Sequence, residues 1–241
     1  MTVPGFTIED GRAFLEKHDL LGHLSPAELE RLLRQAHIEH LQAGRIIFRK
    51  GDPGDRLYIL LEGRIKIGAV SPEGREVVFN VLGAGEVFGE IAVLDGKTRT
   101  ADATTLTDCY LLVIERNSII PFLRENPEVA ARLIAVLCER IRWISQSHED
   151  ALVLDLTAHL ARKLLVLVES YGRPDGCGGL RIDLRLSQQD LAAMTGVSRE
   201  SVNKLLRKWQ DEGIVTHVEG CVTVSNADRL FEMTGRRSES E

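Results

Sequence analysis

The spacing of apolar residues changes three times along the chain, and each change predicts a different kind of element. Thr7 to His18 reads as a short helix. Ser25-Pro26-Ala27-Glu28 opens a second, with serine as N-cap, proline at N1 and glutamate at N3. Leu29, Leu32 and Leu33 supply its buried face. From about Ile38 to Ile114 the period becomes strand-like. Ile46-Ile47-Phe48, Leu57 to Leu61, Arg64 to Ile67, Val77 to Val81, Asp102 to Thr105 and Tyr110 to Ile114 alternate with glycine turns. Short strands at this spacing predict an antiparallel barrel or jelly-roll, whose interior can hold a ligand. The tight turn Gly51-Asp52-Pro53-Gly54-Asp55 reads as scaffold.

Beyond Asn126-Pro127-Glu128 the pattern is helical again. Leu133, Leu137, Ile141, Ile144 and His148 step by four, four, three and four, a heptad-like seam. A helix this long offers more seam than one small barrel can cover, so a parallel interface between two copies is expected. Leu154 to Ser170 is a further helical stretch, with a hinge near Glu149 to Leu154. Tyr171 to Gly179 is loop by composition, and the polar end Arg236 to Glu241 is expected to be disordered. The chain is thus α+β, divided into residues 1–125, a helix and hinge over 126–153, and a C-terminal domain over 154–241.

Composition narrows this picture. At 241 residues there is room for two domains with cores. No apolar run approaches the ~20 residues of a bilayer span, and Met1 to Asp10 lacks the basic-then-apolar order of a secretory signal. A cytoplasmic protein without a membrane partner is expected. Cys109, Cys138, Cys177 and Cys221 are scattered, with no metal-ligand spacing, so no metal, haem or iron–sulfur cluster is expected. The formal net charge is −6, yet six basic residues against three acids lie between Arg181 and Gln210. A basic module on an acidic chain is the footprint of a nucleic-acid partner.

Two stretches carry chemistry. In Phe88 to Ala101, a turn enters a very short helix and a loop returns to a strand. Gly89 lets backbone amides approach a ligand, and the unpaired N–H groups that open the short helix favour an anion. Arg99 returns a planar charged fork to the same place. Glu90 beside an anion makes sense as an acceptor for ribose hydroxyls. Donors for a phosphate next to an acceptor for a sugar describe a nucleotide pocket.

In the second stretch, Ser187-Gln188-Gln189-Asp190 caps a short helix running to Met194, Thr195-Gly196-Val197 turns, and Ser198 caps a longer helix to Gln210. This is a helix-turn-helix pattern. Val202, Leu205, Leu206 and Trp209 face inward, leaving Arg199, Glu200, Asn203, Lys204 and Lys208 for DNA. Arg199 can bind guanine O6/N7, and Glu200 can accept from cytosine N4. Gly213 to Val224, turning at Glu219-Gly220, reads as a β-wing.

Gly89-Glu90-Ile91-Ala92 with Arg99-Thr100-Ala101 resembles the phosphate-binding cassette of cyclic-nucleotide-binding domains, and Ser198 to Val202 resembles a family recognition helix. From about His18 to Val224 the chain resembles the CRP/FNR superfamily of bacterial transcription factors. The resemblance implies a homodimer with an N-terminal β-roll sensor, a dimerisation helix and a winged helix-turn-helix. It implies Glu90 on the ribose 2′-OH, and Arg99, Thr100 and the amides of Ile91 and Ala92 on the cyclic phosphate. Ile144-Ser145 falls where the family has a Thr-Ser pair that touches adenine; Ile144 lacks the hydroxyl. Lys204 stands where a base-reading Arg is usual. Ser187 and Gln188, at the first helix of the motif, join the DNA-contacting set. The effector implied is cyclic AMP first, cyclic GMP second, and the DNA partner is a palindromic operator with half-sites about one helical turn apart. RNA polymerase would be a partner if the protein activates.

Two other classes stay open. A family member with a vestigial nucleotide pocket would bind DNA constitutively or answer another effector. An enzyme acting on nucleotides would need metal ligands or an acid–base pair beside the phosphate, which Glu90 to Thr100 do not supply. The expectation is therefore of a regulator rather than an enzyme.

Overall fold

The computed structural model describes residues 12, 14–16, 18, 20–72 and 74–235. The expected helix Thr7 to His18 lies mostly outside the described residues, and the leader region Met1 to Asp10 and tail Arg236 to Glu241 lie wholly outside them. The chain divides into two units, Met1–Arg140 and Ile141–Glu241, and the division falls inside one long helix.

In the first unit α1 (Pro26–Leu33) carries the Ser25–Glu28 capping box, formed as expected. Two sheets follow. One has the order β1 (Ala36–Leu41), β8 (Cys109–Glu115), β3 (Arg56–Glu62), β6 (Val87–Phe88). The other has the order β2 (Ile46–Phe48), β7 (Asp102–Thr105), β4 (Ile65–Val70), β5 (Glu76–Leu82). All described pairings within them are antiparallel, as a β-roll requires.

The apolar runs of β3 and β8 reflect burial on both faces. Leu57, Ile59 and Leu61, with Leu112 and Ile114, pack towards α1, α3 (Arg116–Glu125) and the start of α4 (Pro127–Val153). The alternate positions, Tyr58, Leu60, Leu111 and Val113, form a second core with Phe48, Ile65, Leu82 and Phe88. By contrast, β5 keeps Val78, Val81 and Leu82 inside and exposes Val77 and Phe79. Between β6 and β7 lies α2 (Glu90–Asp95), the short helix that opens the candidate site.

Strands β1 and β6 and helix α3 are additions to the expected set. Strand β1, Ala-His-Ile-Glu-His-Leu, is half-exposed and carries no clear alternation. Helix α3 contains Pro121, which reads as a break. On α4 one expected seam residue is corrected. Leu133 is buried against its own unit's core rather than presented outward. The exposed apolar positions of α4 are Ile134, Ile141, Ile144, Leu152 and Val153.

In the second unit α4 ends at Val153, and Asp155 caps α5 (Leu156–Tyr171) by accepting from the Ala158 amide at 2.8 Å. The break thus falls at the C-terminal edge of the expected hinge. Across it, Arg162 pairs with Asp150 at 2.9 Å, and Gln146 donates to the same carboxylate at 3.1 Å. Lys163 lies 5.3 Å from the Trp143 ring centroid. His159 is buried beside them with Nε2 lacking a partner. Burial, then the neighbouring Lys163 cation, pushes its pKa below the ordinary imidazole value.

A four-stranded sheet in the order β11 (Val215–Val218), β12 (Cys221–Val224), β10 (Leu180–Arg185), β9 (Gly172–Pro174) completes this unit with α6 (Gln188–Thr195), α7 (Arg199–Asp211) and α8 (Ala227–Met233). The stretch expected as loop, Tyr171 to Gly179, is corrected at its start. Gly172–Pro174 pairs with β10, because edge pairing there needs only three residues of backbone. The wing hairpin β11–β12 turns at Glu219 (φ 50°) and Gly220 (φ 79°), where it was expected.

Candidate functional site

In the first unit the site is built around Gly89. Its φ is 75°, and a Cβ there would lie 2.6 Å from Arg99 Nη1, so glycine is needed for conformation and for space. It caps α2 without a side chain, so no cap oxygen competes for the amides of Ile91 and Ala92. The turn Gly51 to Asp55 seats this segment. The Arg99 amide donates to the Asp52 carbonyl and the Gly51 amide donates to the Arg99 carbonyl, both at 2.9 Å. A Cβ on Gly54 would collide with Ala92, so that turn presses directly on α2. At the other end Arg116 Nε donates to the Val93 carbonyl at 2.8 Å.

Arg99 is only 3% exposed. Its Nη1 and Nη2 donate to the carbonyls of Gly89 and Arg56, each at 2.8 Å, and Nε has no partner. The guanidinium carbon lies 4.3 Å from the Phe48 centroid and 5.6 Å from that of Tyr58. Tyr58 in turn stacks on Phe88 at 4.9 Å. Among the described residues no carboxylate forms a salt bridge with Arg99, and burial lowers its pKa. A buried cation held by carbonyl dipoles and an aromatic face, with N–H groups to spare, can take an anion as a further partner.

Glu90 is fully buried. Its Oε1 accepts from Arg140 Nη1 at 2.6 Å, while Oε2 is buried with no hydrogen-bond partner among the described residues. Arg140 also donates through Nη2 to the Val87 carbonyl. The structure therefore brings together Gly89, Glu90, Ile91, Ala92 and Arg99. Thr100 follows Arg99 and is exposed. Ile144 and Ser145 are exposed and lie on the part of α4 that belongs to the second unit. Sequence reasoning missed Arg140, Phe48, Tyr58 and Arg116.

In the second unit α6 and α7 form the helix-turn-helix. A Ser187–Asp190 capping box fixes the first helix, and Gly196 (φ 71°) closes it. Ser198 Oγ accepts from the Ser201 amide at 3.1 Å at the start of α7. Ser187 and Ser198 thus form the caps expected of them. Val202, Leu206 and Trp209 are buried beneath α7. Arg199, Glu200, Lys204 and Lys208 are exposed; Asn203 is half-buried, accepting from Gln188 at 2.9 Å. Glu200, Asn203, Lys204 and Lys208 line a hollow along this face together with Arg207, a cation that sequence reasoning left out. His217 of the wing bonds the Leu186 carbonyl at 2.8 Å, tying the hairpin to the entrance of α6.

Among the described residues no cluster of three or more His, Cys, Asp or Glu could hold a metal, and no helix is long and apolar enough to cross a membrane.

Residues 38–126 match the family model of the cyclic nucleotide-binding domain, and residues 158–233 match that of the Crp-like helix-turn-helix domain. The chain is 32% identical over 207 residues to the CRP-like cAMP-activated global transcriptional regulator of Mycobacterium tuberculosis, covering 86% of this chain and 92% of the relative. It is 30% identical over 197 residues to the global nitrogen regulator of Synechococcus elongatus, covering 81% and 88%. The solved structure of the c-di-GMP responsive global regulator CLP of Xanthomonas campestris is similar with a TM-score of 0.73 at 26% identity, covering 83% of this chain and 99% of that one.

Proposed function

The chain belongs to the CRP/FNR family of DNA-binding transcription regulators, and on that premise we propose that it is a homodimer gated by a cyclic nucleotide. The observation that carries this reading is Arg99, a buried guanidinium that forms no salt bridge with a carboxylate among the described residues and lies beside Gly89 and the opening turn of α2. The residues fit the group. Arg99 and the amides of Ile91 and Ala92 would hold the cyclic phosphate, with Thr100 at its edge. The orphan Oε2 of Glu90 would accept the ribose hydroxyl, while Arg140 holds Oε1 of the same carboxylate. Such a ligand would give the Arg99 guanidinium a charged partner.

Of Ile144 and Ser145, the pair that the family resemblance assigns to the base, only Ser145 carries a side chain able to hydrogen-bond a purine. The order is cyclic AMP, then cyclic GMP, whose exocyclic amine Thr100 could meet. The exposed residues Ile134, Ile141 and Ile144 form the seam to a second copy, and engagement of Arg99 and Glu90 re-aims the paired recognition helices. Gating requires that the DNA-competent state hold the nucleotide more tightly, by roughly 1–3 kcal/mol of coupling. The operator is a palindrome read by Arg199 and Glu200, with Lys204 giving a looser preference than an arginine fork would. The protein works in the cytoplasm, and polymerase is a partner if it activates. A non-enzymatic role is consistent with the regulators it resembles.

A specific observation favours a second reading. Two of the five guanidinium N–H groups of Arg99 already bond backbone carbonyls, so the side chain is seated by the protein's own contacts before any nucleotide arrives. A regulator with a vestigial pocket, constitutive or answering a different effector, would keep that arrangement permanently. Titration calorimetry with cyclic AMP and cyclic GMP separates the two. Saturable one-per-subunit binding supports the gated reading, and no heat with either ligand supports the other.

A further inference from the structure

Gln188 is the first residue of α6 and Asn203 lies in the second turn of α7. Their side chains meet across the motif: Gln188 Nε2 donates to Asn203 Oδ1 at 2.9 Å, and both residues are half-buried. Each backbone is fixed by its own cap. Ser187 Oγ accepts from the Asp190 amide at 3.1 Å, and the Asp190 carboxylate accepts from the Ser187 amide at 2.9 Å. Ser198 holds the start of α7 in the same way. The amide pair is therefore a positioned unit and not two independent surface side chains.

The direction of this hydrogen bond has a consequence for base reading. A free asparagine reads adenine by offering an N–H to N7 while its carbonyl accepts from N6. Here the Asn203 carbonyl is turned towards Gln188, which leaves its NH2 group to face outward with two donors. Asn203 follows Arg199 by four residues and Glu200 by three, so it shares their face of α7. It also lines the hollow with Glu200, Lys204 and Arg207.

We infer that Gln188 locks Asn203 as a donor-only reader, which selects guanine N7/O6 or thymine O4 over cytosine, and over adenine, whose N6 amine sets a donor against the Asn203 donors beside N7. Asn203 is the specificity-determining residue; Gln188 acts through it and is a positioning residue. The inference rests on α7 being the recognition helix and adds a chemical class of base at one further position of each half-site.

The test uses the full-length protein, with and without added cyclic AMP, and duplexes selected from a palindromic random library. Affinity is then measured for all four bases at each half-site position. Asn203→Ala should lose about ten- to a hundredfold on the preferred keto base at one position and little elsewhere. Gln188→Glu carries the sharper expectation. A carboxylate cannot donate, so Asn203 must reverse, giving its NH2 to the glutamate and turning its carbonyl outward. The added charge lowers affinity on every duplex alike, but preference at that one position should move to adenine or cytosine. Gln188→Glu with Asn203→Ala should show no such preference.

If Gln188→Glu weakens all duplexes equally and leaves the order of bases intact, Gln188 contacts phosphate and the inference falls. An unchanged base profile for Asn203→Ala overturns it as well. Arg199→Ala in parallel keeps this failure separate from failure of the recognition-helix reading. If Arg199→Ala relaxes its own base while Gln188→Glu moves nothing, α7 still reads DNA and only the amide lock is wrong.

Discussion

Replacing Arg99 with leucine separates a ligand anchor from a structural arginine. In the protein without ligand the side chain makes two hydrogen bonds to carbonyls and lies over Phe48. Those contacts contribute about 1.5–3 kcal/mol for each charged hydrogen bond and about 0.5–2 for the ring. Those hydrogen-bond values are already net of desolvation. Leucine regains about 1.5–3 kcal/mol by burial against Phe48 and Tyr58. The variant without ligand should therefore be less stable by about 3 kcal/mol and melt roughly 6–12 °C below the parent, at roughly 2–4 °C per kcal/mol for this size.

Nucleotide changes the comparison. At one hundred times Kd the parent gains about 2.7 kcal/mol, or roughly 5–10 °C. Losing a bidentate, charge-assisted grip on phosphate costs about 3–6 kcal/mol of affinity, at least a hundredfold. At the same ligand concentration the gain drops to about 0.4 kcal/mol or less, below about 2 °C. Scanning calorimetry of both proteins, with and without nucleotide, reads this directly. An equal upward shift in Arg99→Leu would mean that the phosphate is held elsewhere.

Arg140→Met strips the partner from a fully buried Glu90 and should destabilise the first unit by about 3–5 kcal/mol. Adding Glu90→Gln should restore the melt but not nucleotide binding; denaturant titration and calorimetry check the two halves. Arg199→Ala should cost roughly 1–3 kcal/mol on the specific operator and relax one base. An equal loss on all sequences would make Arg199 a phosphate contact. Ile141→Asp with Ile144→Asp puts charge on the exposed stripe of α4 and should shift the protein to monomer by light scattering; a surviving dimer would place the interface elsewhere. His159 titrates with a folded pKa below its unfolded value of about 6.5. The stability it contributes is present above that value and lost as pH falls through the folded pKa. Melting of the second unit should therefore decline from about pH 6.5 downward, and His159→Gln should flatten the decline, with Asp150, Arg162 and Lys163 left in place.

Much of this was legible in the chain because local rules and tertiary packing agree. Ser25-Pro26-Ala27-Glu28 caps α1 as its spacing implies, and Glu219-Gly220 turns the wing. Gly89 and Arg99 meet because the short helix and returning loop leave no other path. What was not legible depends on contacts between distant segments. A buried carboxylate needs a cation, yet nothing local distinguishes Arg140, fifty residues from Glu90, from Arg132 or Arg142 on the same helix. Leu133 keeps the heptad step but is captured by the core of its own unit. The aromatic seat of Arg99 comes from Phe48 on β2 and Tyr58 on β3, and only the folded roll brings those strands under the cassette. β9 escaped because three residues, Gly-Arg-Pro, carry no strand period; β10 supplies the pairing.

The measurement closest to the centre is the affinity of the full-length protein for its selected operator, by fluorescence anisotropy, without nucleotide and with saturating cyclic AMP or cyclic GMP. Gating through the β-roll requires a rise of about 5- to 150-fold with at least one of them, abolished by Arg99→Leu. The same operator affinity in all three conditions would contradict it and leave a regulator that does not answer to these nucleotides.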